Sequence, residues 1–121
     1  MLRVLIAAGL AASLSSVAAA QGIPVTLSEW KIEMPRDTVR AGQVTFRIKN
    51  TGTMVHGFHV EGGNVDKDAP QIPAGQSGTL TVNLKPGTYD IYCPLAENSH
   101  KMAGMSRKLV VIGNAAPPKK P

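Results

Sequence analysis

The sequence predicts an all-β protein, a Greek-key sandwich of about seven to eight short antiparallel strands in two packed sheets. Between Val25 and Ile112, apolar and polar residues alternate in short runs, which is the pattern of a strand with one buried face. Glycine, proline and asparagine separate these runs, as tight turns require. The periodicity of an amphipathic helix is nowhere sustained, so no long helix is expected.

The individual strands follow from these runs. The first covers residues 24–33, where the apolar positions change parity before Trp30 and predict a β-bulge. Residues 62–73 are rich in glycine, proline and polar residues, which predicts a loop with at most one helical turn. Aromatic residues make up only 4% of the chain, and we expect three of them in the core: Trp30, Phe46 and Tyr89. The other strands are expected at residues 37–40, 43–49, 55–61, 78–84, 88–93 and 107–112.

The length of 121 residues is enough for one domain. Residues 1–20 are predicted to be a secretory signal peptide, because Arg3 precedes an apolar stretch that ends in three alanines before Gln21. An uncleaved membrane anchor is the alternative, but serines interrupt the stretch. We expect the domain at residues 21–113, in the periplasm, and a flexible tail rich in proline and lysine at residues 114–121.

The charge pattern argues against a nucleic-acid partner. The formal net charge of +5 includes Arg3 in the leader and Lys119 and Lys120 in the tail. Within the domain, the sequence has no basic run and no aromatic residues interleaved with one. After removal of the leader, nothing is apolar enough to span a membrane stably.

Cys93 is the one cysteine of the chain, so no internal disulfide can form even in an oxidising compartment. A lone thiol serves as an intermolecular linker, a buried apolar residue, a nucleophile or a metal ligand. A hydrolase with Cys93 as nucleophile and His100 as base is disfavoured. The thiol precedes Pro94 at the end of a predicted strand and lacks the helix N-terminus that usually activates a nucleophilic cysteine.

The neighbours of Cys93 favour a metal ligand. A thiol, an imidazole and a thioether lie within residues 93–105, at Cys93, His100 and Met105. Two imidazoles and a thiolate, with a distant methionine sulfur, are the donor set of copper electron-transfer sites. One imidazole is missing from this segment and must come from elsewhere in the chain.

The alternation of residues in the predicted strand 55–61 indicates that His56 supplies this imidazole. It shares a side with Phe58 and Val60, which are expected to face the core. His59 has the parity of Glu61 and is expected to point toward solvent. We therefore predict His56 as the ligand rather than His59.

These motifs resemble those of the small cupredoxins, the type 1 blue copper proteins of the plastocyanin and auracyanin kind. The resemblance covers nearly all of the domain, and it implies one copper ion per chain with four ligands: His56, Cys93, His100 and, in the axial position, Met105. It rests on the Asn50-x-Gly52 turn before His56, on Pro86-Gly87-Thr88-Tyr89 leading through Tyr92 into Cys93-Pro94, and on His100 followed by Ala103-Gly104-Met105.

Two features depart from the family pattern. The loop between the thiol and the second histidine has six residues, Pro94 to Ser99, and is longer than is usual. Gly57 stands where an asparagine often links the two ligand loops, so that link is missing or made by another group. Met102 is the alternative axial ligand, but the spacing of Met105 from His100 matches the family.

We expect an exported mononuclear blue-copper electron-transfer protein and no enzymatic activity. A copper oxidase would need a second copper site, for which only His59 is left, and a purple two-copper centre would need a second thiolate. Expected partners are redox proteins that dock transiently on a monomer, such as a c-type cytochrome or a copper enzyme. The alternative is a periplasmic copper carrier or chaperone that delivers the metal.

The edge of the His100 ring is expected at the surface, in a patch formed by Pro94, Leu95, Met102 and Ala103.

Overall fold

Residues 21–113 are the part of the chain that the computed structural model describes, and they form nine strands and one short helix. The predicted leader and tail lie outside the described residues. No helix within the described range has both the length and the apolar character needed to cross a bilayer. The elements are β1 (Gln21–Ser28), β2 (Lys31–Glu33), β3 (Thr38–Arg40), β4 (Gly42–Asn50), β5 (His59–Gly62), β6 (Val65–Asp68), β7 (Ser77–Leu84), β8 (Gly87–Tyr92), α1 (Ser99–Met102) and β9 (Ser106–Ile112).

The strands form one sheet in the order β2-β1-β4-β7 and another in the order β3-β9-β8-β5-β6. The predicted all-β fold of two sheets is confirmed, with nine strands in the described part of the chain. Two pairs, β1 with β4 and β3 with β9, are parallel, so the sheets are mixed and not purely antiparallel as predicted. Alternation within a strand indicates which face is buried, but it does not indicate the direction of the neighbouring strand.

A turn between β1 and β2 stands where the sequence predicted a bulge. Trp30 adopts a left-handed backbone conformation with φ 64°, and the chain reverses so that Ser28 pairs with Lys31. Bulky residues rarely adopt this conformation, so local propensity does not predict a turn here. Trp30 is 42% exposed, and the prediction that it belongs to the core is wrong.

The segment after β4 also differs from its prediction. In the range 55–61, regular pairing begins only at His59, while His56 forms an isolated bridge to Ile72. The loop predicted at residues 62–73 contains β6, an edge strand that pairs with β5 alone. An edge strand that buries little apolar surface shows no alternating pattern, which is why the sequence did not reveal it.

The core between the sheets is aliphatic around one aromatic pair. The rings of Phe46 and Phe58 are fully buried, and their centroids lie 5.0 Å apart. Tyr89 is also buried, and its hydroxyl donates a hydrogen bond to Lys85 O at 2.7 Å. The predicted core positions of Phe46 and Tyr89 are therefore confirmed. The aliphatic part of the core includes Ile23, Val25, Leu27, Val44, Ile48, Val60, Ile91 and Leu109.

Phe46→Ala tests the central aromatic pair. Loss of this ring leaves a cavity between the sheets and should lower the free energy of unfolding by about 3–5 kcal/mol. Lys49→Ala, at an exposed position of the same strand, should change it by less than about 0.5 kcal/mol. The measurement is urea unfolding followed by circular dichroism. Equal losses in the two variants would contradict this description of the core.

Candidate metal centre

The four residues that the sequence singled out lie in two connections between strands, β4–β5 and β8–β9. Cys93 directly follows β8, His100 lies on α1, and Met105 precedes β9. His56 lies between β4 and β5, where its backbone bridge to Ile72 holds it. His56, Cys93 and Met105 are 0% exposed, and His100 is 7% exposed.

The donor atoms of the two histidines and the cysteine converge. One ring nitrogen of each histidine and the Cys93 sulfur lie within 4.8 Å of one another. The Nδ1 atoms of His56 and His100 are 3.3 Å apart, and Cys93 Sγ is 3.7 Å from His100 Nδ1. In a trigonal arrangement, metal–nitrogen bonds of about 2.0 Å and a metal–sulfur bond of about 2.3 Å give an N–N distance of about 3.5 Å and an N–S distance of about 3.7 Å. The donor set therefore fits one metal ion.

Met105 and Met102, the two candidate axial ligands, differ in their backbone contacts and in their burial. The N–H of Met105 donates to His100 O at 3.1 Å, and its carbonyl accepts the N–H of Cys93 at 3.1 Å. Its side chain is part of the buried core. Met102 on α1 is 84% exposed. An axial sulfur has to reach buried donors, which favours Met105 over Met102, in agreement with the spacing argument from the sequence.

His59 is not among the convergent donors. It lies on the outer face of its sheet with Glu61, as parity predicts, but it is only 7% exposed. Asp66 and Asp68 contact its ring, and the Tyr92 ring packs beside it with a centroid distance of 4.9 Å. The predicted exposure of His59 to solvent is therefore wrong, because the covering residues belong to β6, the strand that the sequence did not reveal.

Tyr92, which precedes Cys93, has an acidic environment. Burial raises the pKa of its hydroxyl to about 12, and the hydrogen bond that it donates to Glu61 Oε2 at 2.9 Å acts in the same direction. The negative charges of Asp66 and Asp68 add to this effect. The hydroxyl is therefore protonated at neutral pH and remains a donor to Glu61.

The long loop before His100 is compact. Its middle contains three consecutive residues with a left-handed backbone, Ala96 (φ 53°), Glu97 (φ 53°) and Asn98 (φ 66°). The N–H of Asn98 donates to Pro94 O at 3.2 Å, and α1 begins at the next residue. This turn and the one-turn helix take up the extra length and bring His100 back to Cys93. A helix of four residues shows no periodicity, so the sequence could not predict it.

Glu29, which the sequence analysis missed, lies behind His56. Its Oε1 is 3.3 Å from His56 Nε2 and accepts the backbone N–H groups of Thr53 and Met54 at 2.8 and 3.0 Å. A carboxylate at Nε2 keeps the ring proton there and leaves the lone pair of Nδ1 directed at the other donors. Glu29 thus orients the His56 ring so that Nδ1 faces the other donors.

The charge of Glu29 is stabilised by its surroundings. Partial burial raises the pKa of the carboxyl group, but hydrogen bonds from the backbone N–H groups of Thr53, Glu29 itself and Met54, together with that of His56, outweigh this effect. The net result is a pKa below the usual 4.5. The group is therefore an anion at neutral pH and a strong acceptor for the proton on His56 Nε2.

The same turn contacts the second histidine. The Trp30 ring stands edge-on to the His100 ring, with centroids 5.0 Å apart and an interplanar angle of 87°. The carbonyl oxygen of Trp30 lies 2.8 Å from the position of a Cβ on Gly104, whose φ is 133°, so only glycine fits there. The turn at Glu29 and Trp30 therefore touches both imidazoles. In the sequence, only the change of parity before Trp30 indicated an irregularity at this turn.

Gly57 makes the link between the ligand loops that the sequence left open. Its backbone N–H donates to Cys93 Sγ at 3.2 Å. A Cβ at this position would lie 3.1 Å from Pro94 Cδ, so the absence of a side chain allows the two loops to approach. A backbone group therefore takes the place of the asparagine side chain that is often found in the family.

The fold and the site together define a class of protein, a two-sheet β-sandwich in which connections between strands bring together two buried imidazoles and a thiol. The model of the cupredoxin-like domain matches residues 1–105, and the chain belongs to the cupredoxin family.

Solved structures and a curated relative are similar to this chain. Auracyanin from the photosynthetic bacterium Roseiflexus castenholzii aligns with a TM-score of 0.64 at 19% identity, over 78% of this chain and 98% of auracyanin. A reduced variant of amicyanin aligns with a TM-score of 0.56 at 27% identity, over 80% of this chain and 87% of amicyanin. The iron uptake system component EfeO of Escherichia coli strain K12 is 32% identical over 94 residues, 77% of this chain. The chain spans 24% of the length of EfeO.

Gly52→Ala tests the contact between Glu29 and His56. The new Cβ would overlap Glu29 Oε1 and push the carboxylate away from the His56 ring. The carboxylate would lose the hydrogen bonds from the N–H groups of Thr53 and Met54, so we expect the free energy of unfolding to fall by about 1–3 kcal/mol. In nuclear magnetic resonance spectra of the metal-free protein, the ring nitrogens of His56 should change from one tautomer to a mixture of two.

Gly22→Ala is the matched control. The nearest atom to its new Cβ is Arg47 Cζ at 3.5 Å, an ordinary contact. Stability should change by less than about 0.5 kcal/mol, and the tautomer of His56 should not change. If both glycine variants altered His56 equally, Glu29 would not be the group that orients it.

Proposed function

We propose that the protein is an exported electron carrier and that His56, Cys93, His100 and Met105 would hold one copper ion. The observation that carries this proposal is the convergence of a thiol and two imidazole nitrogens within 4.8 Å in a buried site. The similarity to amicyanin, which has been solved with Cu(I), supports the choice of copper. Export to the periplasm rests on the signal-like sequence of residues 1–20.

When bound, copper supplies one-electron chemistry by changing between Cu(II) and Cu(I). A thiolate and two imidazoles are suitable donors for both states. Cys93 has to lose its proton to act as a ligand, and both histidines have to present an unprotonated Nδ1. Glu29 prepares His56 for this role because it keeps the remaining ring proton on Nε2.

The chain holds the donors in one arrangement, which suits a carrier whose ligands should move little during electron transfer. The side chain of Asn50 donates to Met54 O at 2.7 Å and to Ile72 O at 2.9 Å, and it accepts the N–H of Gly52. These bonds fix the segment that carries His56. At the thiolate, a hydrogen bond from a backbone N–H is one of the interactions that set the reduction potential of such centres.

The surface near His100 supports transient docking of a redox partner. His100 is the only one of the four proposed ligands with any exposed surface. Exposed apolar side chains in one region are typical of an interaction site. A c-type cytochrome or a copper enzyme would dock there on a monomer. Large apolar side chains exposed on the segments around the site are Trp30, Met54, Val55 and Met102.

Copper delivery is the second candidate function. The exposed thioethers of Met54 and Met102 favour it, because a copper chaperone takes up and releases the ion through accessible soft ligands. The burial of the thiol and both imidazoles favours electron transfer instead. The two functions differ in what leaves the protein: an electron carrier keeps its copper through repeated reduction and reoxidation beside a copper chelator, whereas a chaperone loses copper after the first reduction.

The visible spectrum of the copper-loaded protein tests the donor set. We expect an intense absorption band from charge transfer between the Cys93 thiolate and Cu(II), with bleaching on reduction. Cys93→Ser should abolish the band, whereas Met34→Leu, a substitution of a methionine outside the site, should retain it. A copper-loaded protein without this band would contradict the proposed centre.

The axial assignment is tested by a pair of matched variants. Met105→Leu removes the buried thioether and should raise the reduction potential while the thiolate band persists. Met102→Leu removes an exposed thioether and should leave the potential unchanged. Potentials measured by protein-film voltammetry decide between them, and a larger shift in the Met102 variant would make Met102 the axial ligand.

A further inference from the structure

The outer face of the five-stranded sheet carries an unusual concentration of carboxylates. Four of the eight acidic residues of the chain lie on this face, although the formal net charge of the chain is +5. Glu61 stands directly opposite Asp66 on one side and Asp90 on the other, and opposed like charges destabilise a sheet. Lys108 contacts Asp90 only. The paired residues form two rows, Asp66–Glu61–Asp90–Lys108 and Asp68–His59–Tyr92–Ser106.

His59 lies within this face, and one of its ring nitrogens has no hydrogen-bond partner. Its side chain is only 9% exposed. Nδ1 contacts Asp68 Oδ1, and Nε2 lies 2.6 Å from Asp66 Oδ1. The second contact lacks the geometry of a hydrogen bond, so Nε2 is unpartnered among residues 21–113. A buried polar atom without a partner costs about 1–3 kcal/mol, and here it faces a carboxylate.

We propose that a divalent transition-metal ion such as Zn(II) binds here, through His59 Nε2 and the Asp66 carboxylate, with water as the remaining ligands. Asp68 would act as a positioning residue, because a metal-binding histidine usually donates its other N–H to a carboxylate. Glu61, which accepts the hydroxyl of Tyr92, would add negative charge beside the ion. The ion would thereby relieve the repulsion between Glu61 and Asp66.

This site differs in chemistry from the buried centre. One imidazole and carboxylate oxygens favour borderline or hard divalent ions, whereas a thiolate and a thioether favour copper. The two sites also lie on opposite sides of one chain segment. Tyr92, which packs against His59, faces outward, and the next residue, Cys93, faces the core. The inference therefore stands independently of the proposed electron transfer.

Zinc titration of the full chain, followed through the ring nitrogens of the histidines, tests this site. The chain has three histidines, so His59 can be observed separately from His56 and His100. We expect zinc to shift the Nε2 signal of His59 in a saturable titration, as one ion in addition to any that the buried centre takes up. His59→Gln should lower the zinc bound per chain by one ion, measured by equilibrium dialysis, and Asp66→Asn should weaken zinc binding at His59 at least tenfold without changing zinc-induced shifts of His56 and His100.

Glu33→Gln is the matched control, since it removes one exposed carboxylate from the other sheet. It should leave zinc binding at His59 within twofold of the unmodified protein. The proposal is overturned if His59 does not respond to millimolar zinc, because the cluster is then a structural ion pair. It is also overturned if Asp66→Asn binds zinc as tightly as the unmodified protein. A response of His59 to polylysine but not to zinc would overturn it too, because the face would then be a docking surface for a basic protein. Failure of copper binding would appear at His56 and His100 and would leave this result intact.

Discussion

Two imidazoles and a thiol face one another inside a largely apolar core, and much of the surrounding structure holds them in this arrangement. Polar atoms withdrawn from water cost free energy unless other groups satisfy them. The outward nitrogen of His56 meets a carboxylate, and the sulfur of Cys93 accepts a backbone N–H. The inner atoms have mainly each other as neighbours. A metal ion bound there would satisfy all of them at once, which would account for polar groups placed in the interior of so small a domain.

The groups that support the donors come from several parts of the chain. The turn at Glu29 and Trp30 reaches both histidines from the four-stranded sheet, while the thiol and His100 follow a strand of the five-stranded sheet. Gly52, Gly57 and Gly104 each lie where a side chain would collide with one of these contacts or force the loops apart. The position of each candidate ligand in the sandwich therefore depends on contacts with residues of another loop.

The sequence predicts the features that depend on local periodicity. Alternation predicts two sheets, and the parity of Phe58 correctly places His56 inside and His59 outside the core. Alternation cannot predict that β1 and β4 run parallel, because parallel and antiparallel strands show the same alternating pattern. The role of Glu29 depends on the left-handed conformation of Trp30, which tertiary contacts impose against local propensity. The cover over His59 was missed because β6 is a polar edge strand.

The contact of Trp30 with His100 also bears on the order in which the molecule assembles. These residues come from opposite ends of the domain sequence, so the chain must close a long loop before the ring of one can pack on the other. Long-range contacts of this kind form slowly and late in folding. An ion held by the finished centre would stabilise interactions that the transition state has not yet formed. Its effect would then be to slow unfolding rather than to speed folding, so a bound metal would prolong the lifetime of the native protein.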